Sequence, residues 1–159
     1  MVCGMGATGV ARYRILLADD HSPLRLSLRD DLEQGGFTVC AEAANGVDAL
    51  AAAVSEEPDL CLLDVHMPGG DGFAASAQIK RALPRTKVLL ITAETNAEGA
   101  LAAARAGADG YLSKQIAPDR LPKVVAAVLA GESAYPRRLL GRVLAELQGR
   151  AALRHLNTQ

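Results

Sequence analysis

Two adjacent carboxylates, Asp19 and Asp20, follow the apolar run Tyr13–Ala18, and a third, Asp64, follows Leu60–Leu63. Thr92 closes the run that starts at Lys87, and Lys114 follows Gly110–Ser113. Three carboxylates gathered in one crevice repel one another and need a cation to be ionised together. Oxygen-only donors suit a hard ion, so Mg²⁺ (or Mn²⁺) fits better than zinc, and no His/Cys cluster offers a zinc spacing. A carboxylate beside such an ion is a nucleophile towards phosphorus, giving an aspartyl phosphate. Phosphoryl transfer needs positioning and charge neutralisation, which the ion and the Lys114 ammonium would share, with the Thr92 hydroxyl donating to a third oxygen.

Taken singly, each residue has a plainer reading. Asp64 alone could cap the next helix, and Asp19 could be a helix-end carboxylate. Thr92 fits any strand as a β-branched residue, Lys114 alone is a solvated charge, and Tyr111 alone is a half-buried strand aromatic. His21 and His66 flank the site, but no Ser or Cys nucleophile stands at a partnering position, so both are read as rim residues. Asp71 is a turn residue or N-cap.

The elements that must bring these side chains together alternate strand and helix. Strands are expected at 13–18, 37–43, 60–63, 87–92 and 110–113, and helices from Ser22–Pro23 to Gly35–Gly36, then at 47–55, 72–83, 96–106 and 118–130. Ser22 can cap the first helix and Pro23 suits its first turn. Leu24, Leu28 and Leu32 give it an apolar stripe. Pro68, Gly69, Gly70 and Gly72 break the chain directly after Asp64. Five strand–helix repeats imply a parallel, doubly wound sheet with right-handed crossovers. The carboxyl ends of strands one, three, four and five then converge, where such sheets place ligands.

One more helix is expected from Pro136 to about Arg154, with Leu140, Val143, Leu144 and Leu147 on one side. It packs on the domain or pairs with a second chain. Its arginines (Arg137, Arg138, Arg142, Arg150 and Arg154) read as a solvated face rather than a DNA contact.

With 159 residues, a single domain is the prior, large enough for a core without disulfides. A net charge of -1 gives no global pull towards nucleic acid or membrane. No apolar run approaches a membrane span. Cys40 and Cys61 lie in strand-like runs and act as small hydrophobes, and with Cys3 they make an odd count without metal spacing, as in a reduced, cytoplasmic protein. Residues 1–11 read as a disordered lead-in without a signal peptide. Their glycines, Gly4, Gly6 and Gly9, spell a G-x-G-x-x-G that precedes the first strand, whereas a dinucleotide loop must follow one.

The order of Leu17–His21, Leu63–Gly69, Ile91–Ala93 and Gly107–Lys114 resembles the receiver domain of bacterial two-component response regulators, over about residues 12–131. Residues 128–139 further resemble the NarL/FixJ (LuxR-type) subfamily. The resemblance implies a flavodoxin-like (CheY-like) five-stranded sheet of order 2-1-3-4-5, with an extra C-terminal linker segment at 132–159. It implies that Asp64 is the phosphoacceptor for a sensor histidine kinase. Asp19, Asp20, Asp64 and the His66 backbone carbonyl would hold Mg²⁺, with Lys114 on the phosphoryl group. Thr92 and Tyr111 would form the switch pair, and the face of helix four, strand five and helix five would be read out, in a possible homodimer. The expected output is transcription, and the protein is a signalling switch rather than an enzyme.

The chain departs from this family in two places. Many receivers have a cis proline after the lysine, whereas here Gln115 follows Lys114, and a cis bond to a non-proline costs about 3 kcal/mol. LuxR-type regulators also carry a helix-turn-helix after the linker, and residues 136–159 provide one helix only, so DNA binding is not expected within this sequence. The chain is then a truncated piece or a stand-alone receiver acting by protein–protein contact. Two other chemistries compete. A haloacid-dehalogenase-like phosphohydrolase wants a second Asp where His66 stands. A flavin-binding flavodoxin wants a phosphate loop where Asp19 and Asp20 would repel the phosphate.

Overall fold

The structure is a computed structural model that describes residues 12–69 and 71–157, with side chains described as far as Gly149. The proposed lead-in at 1–11, with Cys3 and its glycines, lies outside the described residues, as do the side chains of Arg150 and Arg154.

Strands β1 (Arg14–Ala18), β2 (Thr38–Ala43), β3 (Leu60–Asp64), β4 (Lys87–Thr92) and β5 (Gly110–Ser113) form one sheet of order β2-β1-β3-β4-β5. Every pairing is parallel. Helices α1 (Ser22–Gln34), α2 (Gly46–Glu56), α3 (Gly72–Ala82) and α4 (Ala97–Arg105) are the crossovers, and α5 (Leu121–Leu129) follows β5. Strand side chains alternate between faces, so each strand feeds two cores. Leu16, Cys61, Leu63, Val88 and Leu90 join Ala49, Ala53, Ile79, Ala100 and Ala103 from α2, α3 and α4. Ile15, Leu17, Leu60, Leu62, Leu89 and Ile91 join Leu28 and Leu32 of α1 and Leu121, Val125 and Val128 of α5. Helices on both faces explain why β3 is buried along its whole length. Burial pushes the Cys61 thiol up to about 12, so it packs as a hydrophobe.

Several boundaries differ from the sequence expectation. His21, not Ser22, caps α1, its ring accepting from the Leu24 N–H at 3.4 Å. Helix α5 starts at Leu121 rather than Pro118. The Leu121 N–H bonds the Ala117 carbonyl at 3.2 Å, but Pro122 has no N–H for the Pro118 carbonyl, so the ladder is interrupted there. The last helix is preceded by a 3-10 turn, Arg137–Leu139, and runs as α6 over Leu140–Asn157. Pro136 keeps extended backbone angles and stands outside both.

The expected apolar side of α6 divides. Val143 is buried, as is Leu139 just before the helix, whereas Leu144 and Leu147 are 53% and 44% exposed. Arg138 is not merely solvated, since it bonds the backbone and hydroxyl of Thr95.

Candidate functional site

The parallel register sets the site. Ala18 stands opposite Leu63 and Asp64 opposite Ile91, while Thr92 stands opposite Ser113. Each strand therefore delivers its next residue to the same end of the sheet. Asp64 ends β3, and the chain turns away at once. Gly72, the first residue of α3, lies so close that a β-carbon there would come within 2.4 Å of the Asp64 carbonyl oxygen. Asp71 caps α3 through its side chain, accepting from Ala74 N–H at 2.7 Å, as the sequence suggested.

Oxygens of Asp19, Asp20 and Asp64 all lie within 4.8 Å of one another. Asp19 and Asp64 are buried and Asp20 is exposed. Asp64 Oδ1 accepts from the His66 amide at 3.1 Å, and its Oδ2 accepts from the Lys114 ammonium at 2.9 Å. Asp19 Oδ1 accepts from the His21 amide at 2.8 Å. Its Oδ2 lies 3.4 Å from Lys114 Nζ and has no hydrogen-bond partner.

Burial pushes the Asp19 carboxyl above the usual aspartate range. The Asp64 charge adds to this, and the His21 amide and Lys114 only partly offset it. For Lys114, burial acts downward, yet the bond to Asp64 and the fields of both aspartates leave its ammonium above the ordinary lysine value. Lys114 pairs with Asp19 and Asp64, so among the described residues the three carboxylates keep net negative charge and one buried oxygen has no hydrogen bond. This donor set is all oxygen, partly buried and open on the Asp20 side, and it fits a hard divalent cation.

Thr92 is buried, and its carbonyl accepts from the Lys114 amide at 2.7 Å. A cavity of about 300 Å³ runs from His66 and Thr92 past Glu94 to Gly99 and Tyr111. The Tyr111 ring is buried at the far end, and its oxygen accepts from the Asn96 amide at 3.3 Å. His66 and His21 are exposed on the rim. The Lys114–Gln115 bond is trans, as are all peptide bonds among the described residues.

The structure adds a residue that sequence reasoning missed. Arg25, on α1, donates to the Asp19 backbone carbonyl, and its Nε donates to Glu42 on β2 at 2.9 Å. Glu42 also accepts from Arg29. No spacing rule ties a helix arginine to a strand-end carbonyl, so only the fold reveals it.

A parallel sheet of this order, wrapped on both faces and carrying an acidic crevice at its carboxyl end, is a CheY-like module of the flavodoxin type. The chain belongs to the response regulator receiver domain family, which it matches over residues 15–126, and its relatives are of the LuxR/NarL type. It is 39% identical over 123 residues to a transcriptional regulator of Pseudomonas aeruginosa, covering 77% of this chain and 59% of that protein. The chain thus spans less than two thirds of that relative's length. A LuxR-family two-component response regulator from Aurantimonas has a similar structure, with 31% identity and a TM-score of 0.78, over 86% of this chain and 98% of that one. The signal receiver domain of NarL from Mycobacterium tuberculosis gives 33% identity and 0.74, over 77% and 100%. Receiver domains typically bind Mg²⁺ at their acidic pocket. No helix among the described residues is long and apolar enough to cross a membrane.

Proposed function

We propose that this chain is a phosphorylation-dependent signalling switch that takes a phosphoryl group on Asp64 from a sensor histidine kinase. The observation that carries the reading is the convergence of Asp19, Asp20 and Asp64 within 4.8 Å, with Lys114 at 2.9 Å from Asp64. A carboxylate oxygen of Asp64 attacks phosphorus, a P–O bond forms, and the P–N bond of the donor phosphohistidine breaks, the imidazole taking up a proton from solvent.

Asp19, Asp20, Asp64 and the His66 backbone carbonyl would hold Mg²⁺ or Mn²⁺, which when bound supplies neutralising charge for the phosphoryl oxygens. Lys114 exchanges its contact with Asp64 for the incoming phosphoryl oxygens. The Thr92 hydroxyl turns towards a remaining oxygen. Tyr111 already lies inward against Gly99, and a turned Thr92 would hold its ring in that position; the readout is the face of α4, β5 and α5. The receiver unit spans 12–131 and the linker 132–159. Control of transcription accords with the description of the relatives as transcriptional regulators, a cytoplasmic location and homodimer formation belong to the same reading, and a receiver acting through protein contacts alone is the alternative output.

The test is incubation with acetyl phosphate and Mg²⁺ followed by intact-mass measurement. A labile single adduct is expected, absent in Asp64→Asn and absent when the metal is chelated. An unmodified wild-type protein under these conditions rejects the reading.

A further inference from the structure

We propose that residues 134–149 are a releasable strap over α4 and the outer side of β5, held by the segments that sense the state of Asp64. The coupling rests on the phosphoacceptor reading above, whereas the docking itself is directly visible.

After α5 the chain turns back along β5. Ala134 makes a parallel bridge to Gly110. The Tyr111 N–H donates to the Ala134 carbonyl at 2.8 Å, and the Ala134 N–H donates to Asp109 O at 3.0 Å. The Tyr135 hydroxyl donates to the Ala108 carbonyl at 2.8 Å. Next, α6 lies against α4. Leu139 and Val143 enter the same apolar cluster as Ala100, Ala103 and Ala104, and Arg105 clasps Glu146 at 2.6 Å.

Two of the anchors adjoin the switch positions. Arg138 Nη2 donates to Thr95 O at 3.2 Å and contacts Thr95 Oγ1 at 3.0 Å. Thr95 lies in the short loop between Thr92 and the Asn96 cap of α4. Tyr111 is bonded twice, by its amide to Ala134 and by its phenol oxygen to the Asn96 amide. A Thr92 hydroxyl drawn to a phosphoryl group pulls on that loop, which Arg138 holds at Thr95 and the Tyr111 phenol holds at Asn96.

The grip is also small enough to release. Beyond Tyr135, only Leu139 and Val143 of the described strap residues are buried aliphatic side chains, while Arg105 and Arg138 are exposed and Leu144 and Leu147 face outward. Phosphorylation therefore uncovers α4 by loosening an intramolecular cover.

Hydrogen–deuterium exchange on the full chain, with and without acetyl phosphate and Mg²⁺, tests this, with adduct formation read from intact mass in the same samples. Amides of residues 139–149 are expected to exchange at least tenfold faster in the phosphorylated protein, with β1 and β3 unchanged. Arg138→Ala, at an exposed position, and Thr95→Val, at a half-buried one, are expected to speed exchange of the same segment without phosphate. An adduct with unchanged or slower exchange at 139–149 overturns the strap and leaves the phosphoacceptor reading standing. Unchanged exchange in both variants overturns it equally. Failure to form an adduct removes the phosphoacceptor reading, and the coupling falls with it.

Discussion

Gly99 and Tyr111 occupy space that only a glycine can share. A β-carbon on residue 99 would stand 1.9 Å from the phenol oxygen and 2.6 Å from the ring carbon that bears it. Helix α4 therefore has a gap cut for the inward ring. Gly99→Ala is expected to expel Tyr111 from its buried place at a cost of about 1–3 kcal/mol, as for other overpacked sites. Nitration mapped by mass spectrometry checks this, with Tyr111 becoming as reactive as the exposed Tyr13. An unchanged protection pattern at full stability would contradict the geometry.

The orphaned oxygen of Asp19 sets a pH dependence. An acid whose folded pKa is raised, here chiefly by burial, holds its stability below the unfolded value and loses it as pH rises through the folded one. In EDTA, Asp19→Asn is expected to melt higher than the native protein near neutral pH. The gap should close as pH falls below about 4, the unfolded aspartate value. Excess Mg²⁺ should raise the native melting point, by the equivalent of about 2.7 kcal/mol at a hundred times Kd, and barely move the variant. Thermal scans at several pH values read both effects.

Lys114 competes with any cation for Asp64 and Asp19. Lys114→Met removes a positive charge from the crevice, so Mg²⁺ should bind roughly tenfold more tightly, the equivalent of 1.4 kcal/mol. Phosphorylation should nevertheless slow sharply, because the ammonium no longer meets the phosphoryl oxygens. Calorimetric titration and adduct kinetics on one preparation separate the two effects, and weaker metal binding would count against this placement of charges.

Arg25 positions the Asp19 main chain without touching the carboxylates in the contacts seen here. Arg25→Gln is expected to raise the Mg²⁺ concentration for half-maximal phosphorylation by about three- to tenfold, the size of one typical net hydrogen bond. The rate at saturating Mg²⁺ should survive. A fall in the maximal rate with no change in Mg²⁺ dependence would show that Arg25 acts elsewhere.

The strands were legible because their apolar runs are short and bounded by Pro and Gly. Asp19, Asp20, Asp64, Thr92 and Lys114 were legible as a group because parallel strands present their carboxyl ends together. What escaped depends on contacts between distant segments. Pro122 delays α5 because it has no N–H to donate to the Pro118 carbonyl. His21 took the cap from Ser22 because the helix begins one residue earlier than a serine cap requires. The Leu139–Leu147 pattern signalled an apolar face, but only packing on α4 separates Val143 from Leu144. Ala134 carries no strand signature, and neither Arg138 nor Arg25 names its partner in sequence.

The bridge at Ala134 has a consequence beyond switching. At the start of β5 the outer backbone groups, the Asp109 carbonyl and the Tyr111 N–H, are already bonded to Ala134, which hinders another molecule from extending the sheet there by adding a strand. The opposite margin, β2, carries Glu42 locked between Arg25 and Arg29, a charged fringe that deters stacking of like chains. The same tail that shields α4 thus protects the fold against aggregation, and a molecule shortened before residue 134 would accumulate in insoluble form sooner on warming.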